Sequence, residues 1–345
     1  MPEFCVVMPM YNAAAWVEQA VQSVLSQTYQ DFHLIVVDDG SSDASVELVQ
    51  RFADSRICII ENGVNRGIEY SLNRGIAAAD CNWIVRLDSD DECLPGRLEK
   101  QAAYLKAHPD TWVLGGWAEI ACPDGRRFSV HMPVQNNWIK ARLLFQNAFM
   151  HPAVAVKRKL FELVKYSQKY PGAEDYDLWC KLAANPAASF HNLPDLLVRY
   201  RISRHGISAS ERLRQLSSTH KVREAFLKRC GLALGPGLRF YQAMADGAEP
   251  GRGVFTEDGR VVSEAAVAVN KATWPEKFEL QEAAGFVELL ASLRRQLIRL
   301  RYTSYETLYN ELAPRFTWFA RGMRELSPVC FALLAGSEFY QENVR

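Results

Sequence analysis

The feature that most constrains this chain is an alternation in its N-terminal part. Short runs of β-branched and other apolar residues take turns with stretches whose apolar residues recur at helical spacing. Phe4–Met8 (FCVVM), Leu34–Val37, Ile57–Ile60 and Trp83–Leu87 are runs of strand length. Ala15–Gln27, Ser45–Phe52 and Gly67–Ala79 lie between them, and in the first of these the apolar residues stand at 17, 20, 21, 24 and 25. A helix turns every 3.6 residues, so those five positions share one face. Ser41-Ser42-Asp43 supplies a cap-like start for the second helix. Strand–helix–strand alternation predicts an α/β fold, a mostly parallel sheet flanked on both faces by helices. Ligands of such sheets bind beyond the carboxyl ends of the strands.

Those strand ends are polar. The first run leads into Pro9-Met10-Tyr11-Asn12, the second into Asp38-Asp39-Gly40-Ser41-Ser42-Asp43, and the fourth into Asp88-Ser89-Asp90-Asp91. Carboxylates at i and i+2 on a strand-to-loop turn can converge on one hard cation. Oxygen donors of this kind suit Mg²⁺ or Mn²⁺ and leave coordination sites for a diphosphate. The same residues also build an Asp-rich turn with a helix cap. Asp39, at the sheet edge, is placed to accept a hydrogen bond from a base imide N–H, while Asp-Gly and Ser-Ser-Asp also make turns unaided. Pro9–Asn12 reads equally as a turn before a capped helix. The coincidence of the three clusters on one edge weighs more than any one of them. A later acidic site, Glu174-Asp175, precedes the apolar helical run Leu178–Ala184. It reads either as a helix start stabilised by the dipole or as a general base for an acceptor hydroxyl.

Composition narrows the function classes. The chain has 345 residues with 40 Lys+Arg and 40 Asp+Glu, a formal net charge of +0. Neutrality argues against nucleic acid as the main partner, because phosphate neutralisation needs a basic excess. The N-terminus has no basic region followed by a long apolar core, so no signal peptide is read. No apolar stretch approaches the roughly 18 residues of a membrane span. None of the eight Cys forms C-x-x-C; they read as small hydrophobes of a reducing, cytoplasmic protein. Residues 1–210 carry 21 basic and 24 acidic residues, whereas 211–345 carry 19 and 16. The asymmetry, −3 against +3, marks a boundary. Beyond it, 211–230, 277–301 and 303–325 read as helices, with a Gly/Pro-rich connector between the first two. Ala291–Arg301 holds Arg294, Arg295, Arg299 and Arg301 among Leu and Ile. It reads as a packed helix with a solvated basic face, as a helix resting on anionic lipid, or as a helix pairing with a second chain.

VVMPMYN at 6–12, IVVDDGSSD at 35–43, N-x-G at 65–67, LDSDD at 87–91 and AEDYDLW at 173–179 follow in one order. In order and spacing they resemble the inverting glycosyltransferases of family 2, over residues 4–210. From LDSDD to LVRYR at 197–201 the chain is most similar to bacterial lipooligosaccharide β-1,3-N-acetylglucosaminyltransferases. The resemblance implies the GT-A fold, a Rossmann-like nucleotide-binding sheet, as a catalytic domain over 1–210, with 211–345 a mainly helical region making acceptor, membrane-surface or oligomer contacts. It implies metal-dependent transfer from a UDP-sugar, UDP-GlcNAc or another UDP-hexose, to a glycan or lipid-linked glycan in bacterial surface polysaccharide or lipopolysaccharide synthesis, at or near the inner face of the cytoplasmic membrane. Pro9, Tyr11 and Asn12 would line the nucleotide pocket, Asp39 would contact the uracil, and Asn73 and Arg74 would face the nucleotide. Asp88 and Ser89 would approach ribose and donor sugar, and Asp90 would hold Mn²⁺ or Mg²⁺. Asp175 would be the base, with Glu174 beside it. The family's Tyr-Arg-x-His becomes Tyr200-Arg201-Ile202-Ser203-Arg204-His205 here. His205 is thus two places late, and it, or Arg204 in its stead, would close over the metal or diphosphate. His151-Pro152 falls where the family places a wall of the sugar site, and Tyr176 and Trp179 read as a sugar platform or as core. Two rival classes are weighed. A sugar-nucleotide nucleotidylyltransferase would want a Gly-rich, basic loop where PMYNAAA stands. A non-catalytic nucleotide-sugar-binding subunit would not need the complete acidic set.

Overall fold

The computed structural model describes residues 2–144, 146–202 and 212–230. They fall into two compact units, one of Met1–Val134 with Ala148–Val222, the other of Gln135–Asn147 with residues from Arg223 onward. In the first unit the expected alternation is present: β1 (Phe4–Met10), α1 (Val17–Leu25), β2 (Phe32–Asp38), α2 (Ser45–Gln50), β3 (Ile57–Glu61), α3 (Ile68–Ala78) and β4 (Trp83–Arg86). Every residue of β1 is buried, because helices cover both sides of it. Phe4, Val6, Met8 and Met10 pack in one core with Val17, Ala20, Val21 and Val24 of α1. On the opposite face Gly75 of α3 meets the sheet so closely that a Cβ there would lie 2.7 Å from Val7 and 2.9 Å from Val37. Glycine is required at that crossing because nothing larger fits.

Five further strands, β5 (Glu92–Cys93), β6 (Val113–Ala121), β7 (Arg127–Val130), β8 (Ala155–Lys157) and β9 (Phe190–Arg201), join the sheet, which runs in the order β3-β2-β1-β4-β8-β6-β9-β5, with β7 on β6. The first four strands are parallel. The chain moves outward from β1 through β2 to β3, then returns to lay β4 on the other side of β1. Ligand crevices open at such a reversal. Beyond β4 the sheet is mixed. β8 is antiparallel to both β4 and β6, and β9 is parallel to β6. β5 pairs antiparallel with β9, and β7 with β6. Helices still separate most strands of this half, but the strands they join pair antiparallel or skip across the sheet, so the regular parallel winding of the N-terminal part does not extend to it. α4 (Arg97–Ala107) and α6 (Glu174–Ala183) complete the unit's long helices.

Buried polar groups tie the irregular segments down. Arg97 is fully buried and its guanidinium donates to the carbonyl of Arg86 at 2.9 Å, at the root of the acidic turn. Asn192, also fully buried, donates to the carbonyls of Pro133 and Ala148 at 2.6 and 3.1 Å. In the second unit α5 spans Asn136–Leu143. α7 (Arg212–Arg229) falls within the expected helical stretch 211–230 and crosses the division between the units. The segments 277–301 and 303–325 lie outside the described residues, so the lipid, packing and pairing readings of Ala291–Arg301 meet no structure here. No described helix is long and apolar enough to cross a membrane. Cys5, Cys81 and Cys93 are buried and stand outside any disulfide.

Candidate active site

The loops that follow β1 and β2 are laced together. Asn12 has a positive φ of 49°, a conformation that Asn tolerates better than most residues. Its N–H donates to Ser41 Oγ at 3.0 Å, and its Oδ1 accepts from the Ser42 N–H at 2.9 Å. Ser45 Oγ and Asp43 accept from the amides of Ala13 and Ala14. Asp38 accepts from the amides of Gly40 and Ser41. Asp38 and Asp43 are thus turn-builders, as Asp-Gly and Ser-Ser-Asp chemistry predicts. Pro9 is buried within β1, while Tyr11 stands half exposed at the rim.

Asp39 is different. It is buried, and its carboxylate accepts from Asn62 Nδ2 at 2.6 Å and from the amides of Arg66 and Gly67 at 3.0 and 2.8 Å. A carboxylate offers about four lone-pair directions, so three donors leave one open. The N-x-G segment at 65–67 therefore serves Asp39. Asn73 and Arg74 point elsewhere. The Asn73 side chain clamps the backbone of Tyr166 in both directions, at 2.9 and 3.1 Å, and Arg74 holds the end of β3 through the Glu61 carbonyl and Asn62.

The turn after β4 gathers Asp88, Asp90 and Asp91, whose ligand oxygens all lie within 4.8 Å of one another. The buried Arg86 guanidinium forms an ion pair with Asp88. Burial first, and Asp88 next, push the Asp90 carboxyl up to about 6. The same causes, with Asp90 added, raise Asp91 well above the usual carboxylate range. Asp91 Oδ1 accepts from the Arg201 N–H at 2.8 Å, whereas its buried Oδ2 has no hydrogen-bond partner. Three converging carboxylates and one orphaned buried oxygen are donors of the kind that suit a hard divalent cation. The residues fit such an ion.

Glu174 and Asp175 open α6, where the helix dipole favours negative charge. Glu174 is buried with Oε2 unpartnered, and burial followed by Asp175 lifts its carboxyl to about 8. Tyr166 is buried within electrostatic range of both acidic groups, of Asp175 and Glu174 and of Asp88, and of Arg86. Its hydroxyl shares a 2.9 Å hydrogen bond with His151 Nε2. Burial and then Arg86 hold His151 well below the usual imidazole range, so it is neutral. His151-Pro152 opens a buried 3₁₀ turn facing this centre. Tyr176 and Trp179 are buried core rings, with Trp179 packed 5.2 Å from Phe149, so neither presents a face to a sugar. Arg204 and His205 lie outside the described residues.

Arg86 and Tyr166 lie at this centre without having been singled out from the sequence, while Asp91 and Arg201 stood in motifs read there but were given no role of their own. Arg86 carried a signal, a lone charge inside the apolar run WIVRL. Tyr166 carried none.

A mixed sheet that is parallel in its first four strands, flanked by helices and carrying an acidic turn at its reversal, defines a fold of the GT-A class. Residues 5–162 match the family described as Glycosyl transferase family 2. An uncharacterized glycosyltransferase of Methanocaldococcus jannaschii is 31% identical over 207 residues, 58% of this chain and 71% of that protein. A UDP-Glc:α-D-GlcNAc-diphosphoundecaprenol β-1,3-glucosyltransferase of Escherichia coli is 29% identical over 206 residues, 60% of this chain and 79% of that one. Among solved structures, S. aureus TarS 1–349 in complex with UDP-GlcNAc superposes with a TM-score of 0.52 at 18% identity, over 66% of this chain and 72% of that one. That likeness is one of fold. The chain belongs to glycosyltransferase family 2, and it is a glycosyltransferase.

Proposed function

We propose that the enzyme transfers a hexose, GlcNAc or glucose foremost, from its UDP-sugar to a hydroxyl of a lipid-linked glycan, with inversion, in bacterial surface polysaccharide or lipopolysaccharide synthesis. The lipooligosaccharide β-1,3-N-acetylglucosaminyltransferases remain the finer reading. The observation that carries the proposal is the pairing of two acidic centres, Asp88/Asp90/Asp91 and Glu174/Asp175, both within range of Tyr166. Support for a UDP-sugar donor and a lipid-linked acceptor comes from the Escherichia coli relative, whose name states both.

The chain's own residues divide the task. Asp39 offers its one open lone pair to an imide N–H of uracil, and Pro9, Tyr11 and Asn12 line the nucleotide beside it. Asp88, held by Arg86, and Ser89 approach the ribose and donor sugar. Asn73 and Arg74 act through the segments they hold. Asp90, with Asp88 and Asp91, would hold a divalent cation, Mn²⁺ or Mg²⁺. Such an ion neutralises the charge of a leaving diphosphate. Asp175 takes the proton from the acceptor hydroxyl, which needs an approach of roughly 3 Å, directly or through one water. A base facing the leaving group from the opposite side of the sugar turns an α-linked donor into a β-glycoside. The catalytic unit is residues 1–210, with 211–345 reaching acceptor, membrane or a second copy.

The test is a thermal-shift panel of nucleotide sugars with Mn²⁺, followed by transfer assays on the best donor. A UDP-hexose is expected to stabilise most, and Asp175→Asn to abolish transfer while keeping UDP affinity. A GDP- or dTDP-sugar ranking first, or turnover retained in Asp175→Asn, would sink the assignment.

A further inference from the structure

We infer that Arg201 is a positioning residue for the acidic turn: it grips the turn from behind and so sets its cation affinity. The inference rests on reading Asp88, Asp90 and Asp91 as a cation site.

Three carboxylates with oxygens inside 4.8 Å repel one another. Something must hold the backbone that presents them. The turn itself is closed by the Asp91 N–H on the Asp88 carbonyl at 3.2 Å. Arg201 then engages it at separate points. Its Nε donates to the Asp90 carbonyl at 3.1 Å, and its own N–H donates to Asp91 Oδ1 at 2.8 Å. Its Nη2 reaches Glu92 Oε1 and, on α1, Gln19 Oε1, each at 3.1 Å. The guanidinium plane is seated 4.1 Å from the ring centre of Trp16, a stacking that fixes the fork's orientation. Glu92 is itself held from the other side, since its Oε2 pairs with Arg199 at 2.8 Å, and Arg199 pairs in turn with Glu119. An ion-pair chain thus runs across β6, β9 and β5 and ends on the peptide between Asp90 and Asp91. Arg201 belongs to β9, and the turn runs directly into β5, which pairs with β9, so that strand pairing brings them together. A lysine at 201 would keep the charge but lose the planar fork that spans Asp90, Glu92 and Gln19.

The test is direct Mn²⁺ binding to the full chain, read from the EPR signal of free Mn²⁺ with UDP present, for wild type, R201K and E92Q. R201K is expected to weaken Mn²⁺ binding about tenfold or more, the usual scale for a group that orients metal ligands. Its melting temperature and its metal-free UDP affinity should stay close to wild type. E92Q, which unfastens the far side of the guanidinium, should shift Mn²⁺ affinity in the same direction by a smaller factor. An R201K titration within about twofold of wild type overturns the inference. If R201K does not fold, E92Q decides, and unchanged Mn²⁺ affinity there overturns it equally. Wild-type protein that binds UDP but no Mn²⁺ would remove the cation reading and the role of Arg201 together. Wild-type binding with unaltered variants removes the role of Arg201 alone.

Discussion

At the scale of single residues, burial sets Glu174 apart from its neighbour Asp175, the proposed base. Glu174 is buried, lacks a partner for Oε2 and keeps its proton up to about pH 8. A protonated carboxyl cannot accept the proton of an incoming hydroxyl, which favours Asp175 as the base. Burial also leaves a thermodynamic trace. Between about pH 4.5 and 8 the unfolded chain has released the Glu174 proton and the native chain still holds it, so native protein binds more protons and stability falls as pH rises. Asp90, raised to about 6, adds to the lower part of that window. Glu174→Gln should therefore flatten the upper part of the melting-temperature profile, gaining on wild type as pH approaches 8. Parallel profiles for the two proteins would show that Glu174 titrates normally. Asp39 teaches a related lesson. Its place at the sheet edge was readable from sequence, but Asn62, Arg66 and Gly67 as its partners were not, because the contact spans more than twenty residues of chain.

At the scale of elements, the βα loops act as one assembly. Gly40 has a φ of +79°, and a Cβ there would stand 2.7 Å from the carbonyl carbon of Val64. Any side chain would strain the backbone and push on the segment that presents the Arg66 and Gly67 amides to Asp39. Gly40→Ala is expected to cost about 1–3 kcal/mol in denaturant unfolding and to weaken UDP binding as well. Normal UDP affinity in a destabilised Gly40→Ala would separate the turn from the nucleotide pocket. α1 was legible because it buries an i, i+3, i+4, i+7 stripe of Val17, Ala20, Val21 and Val24. The β5–β9 half was not. β5 is two residues long, and β9 carries Asn192, Pro194 and Asp195 within its span, with a register shift opposite Gly116 and Trp117. Polar residues inside a strand and a pairing partner more than seventy residues away erase the local period.

At the scale of the whole molecule, ligand and fold are linked by mass action. A ligand at about 100 times its Kd adds about 2.7 kcal/mol to the native state. UDP with Mn²⁺ should raise the melting temperature beyond UDP alone, and Asp90→Ala should lose that increment while keeping the response to UDP. An unchanged Mn²⁺ increment in Asp90→Ala would remove Asp90 from the cation site. What the sequence by itself determined was the alternation of strand and helix, the sheet edge on which polar residues gather, and the identity of the carboxylates there. Those follow from side-chain period and turn chemistry, which act over a few neighbouring residues. Only the tertiary structure decided how the acids are partnered. Arg201 reaches Asp90 and Asp91 because β5 pairs with β9. Tyr166 is held to α3 by Asn73, whose side chain clamps its backbone, and is felt electrostatically by both acidic centres. Asp90, Asp91 and Glu174 are shifted because the folded chain closes over them. Burial and long-range pairing are properties of the packed molecule, and no local pattern of residues encodes them.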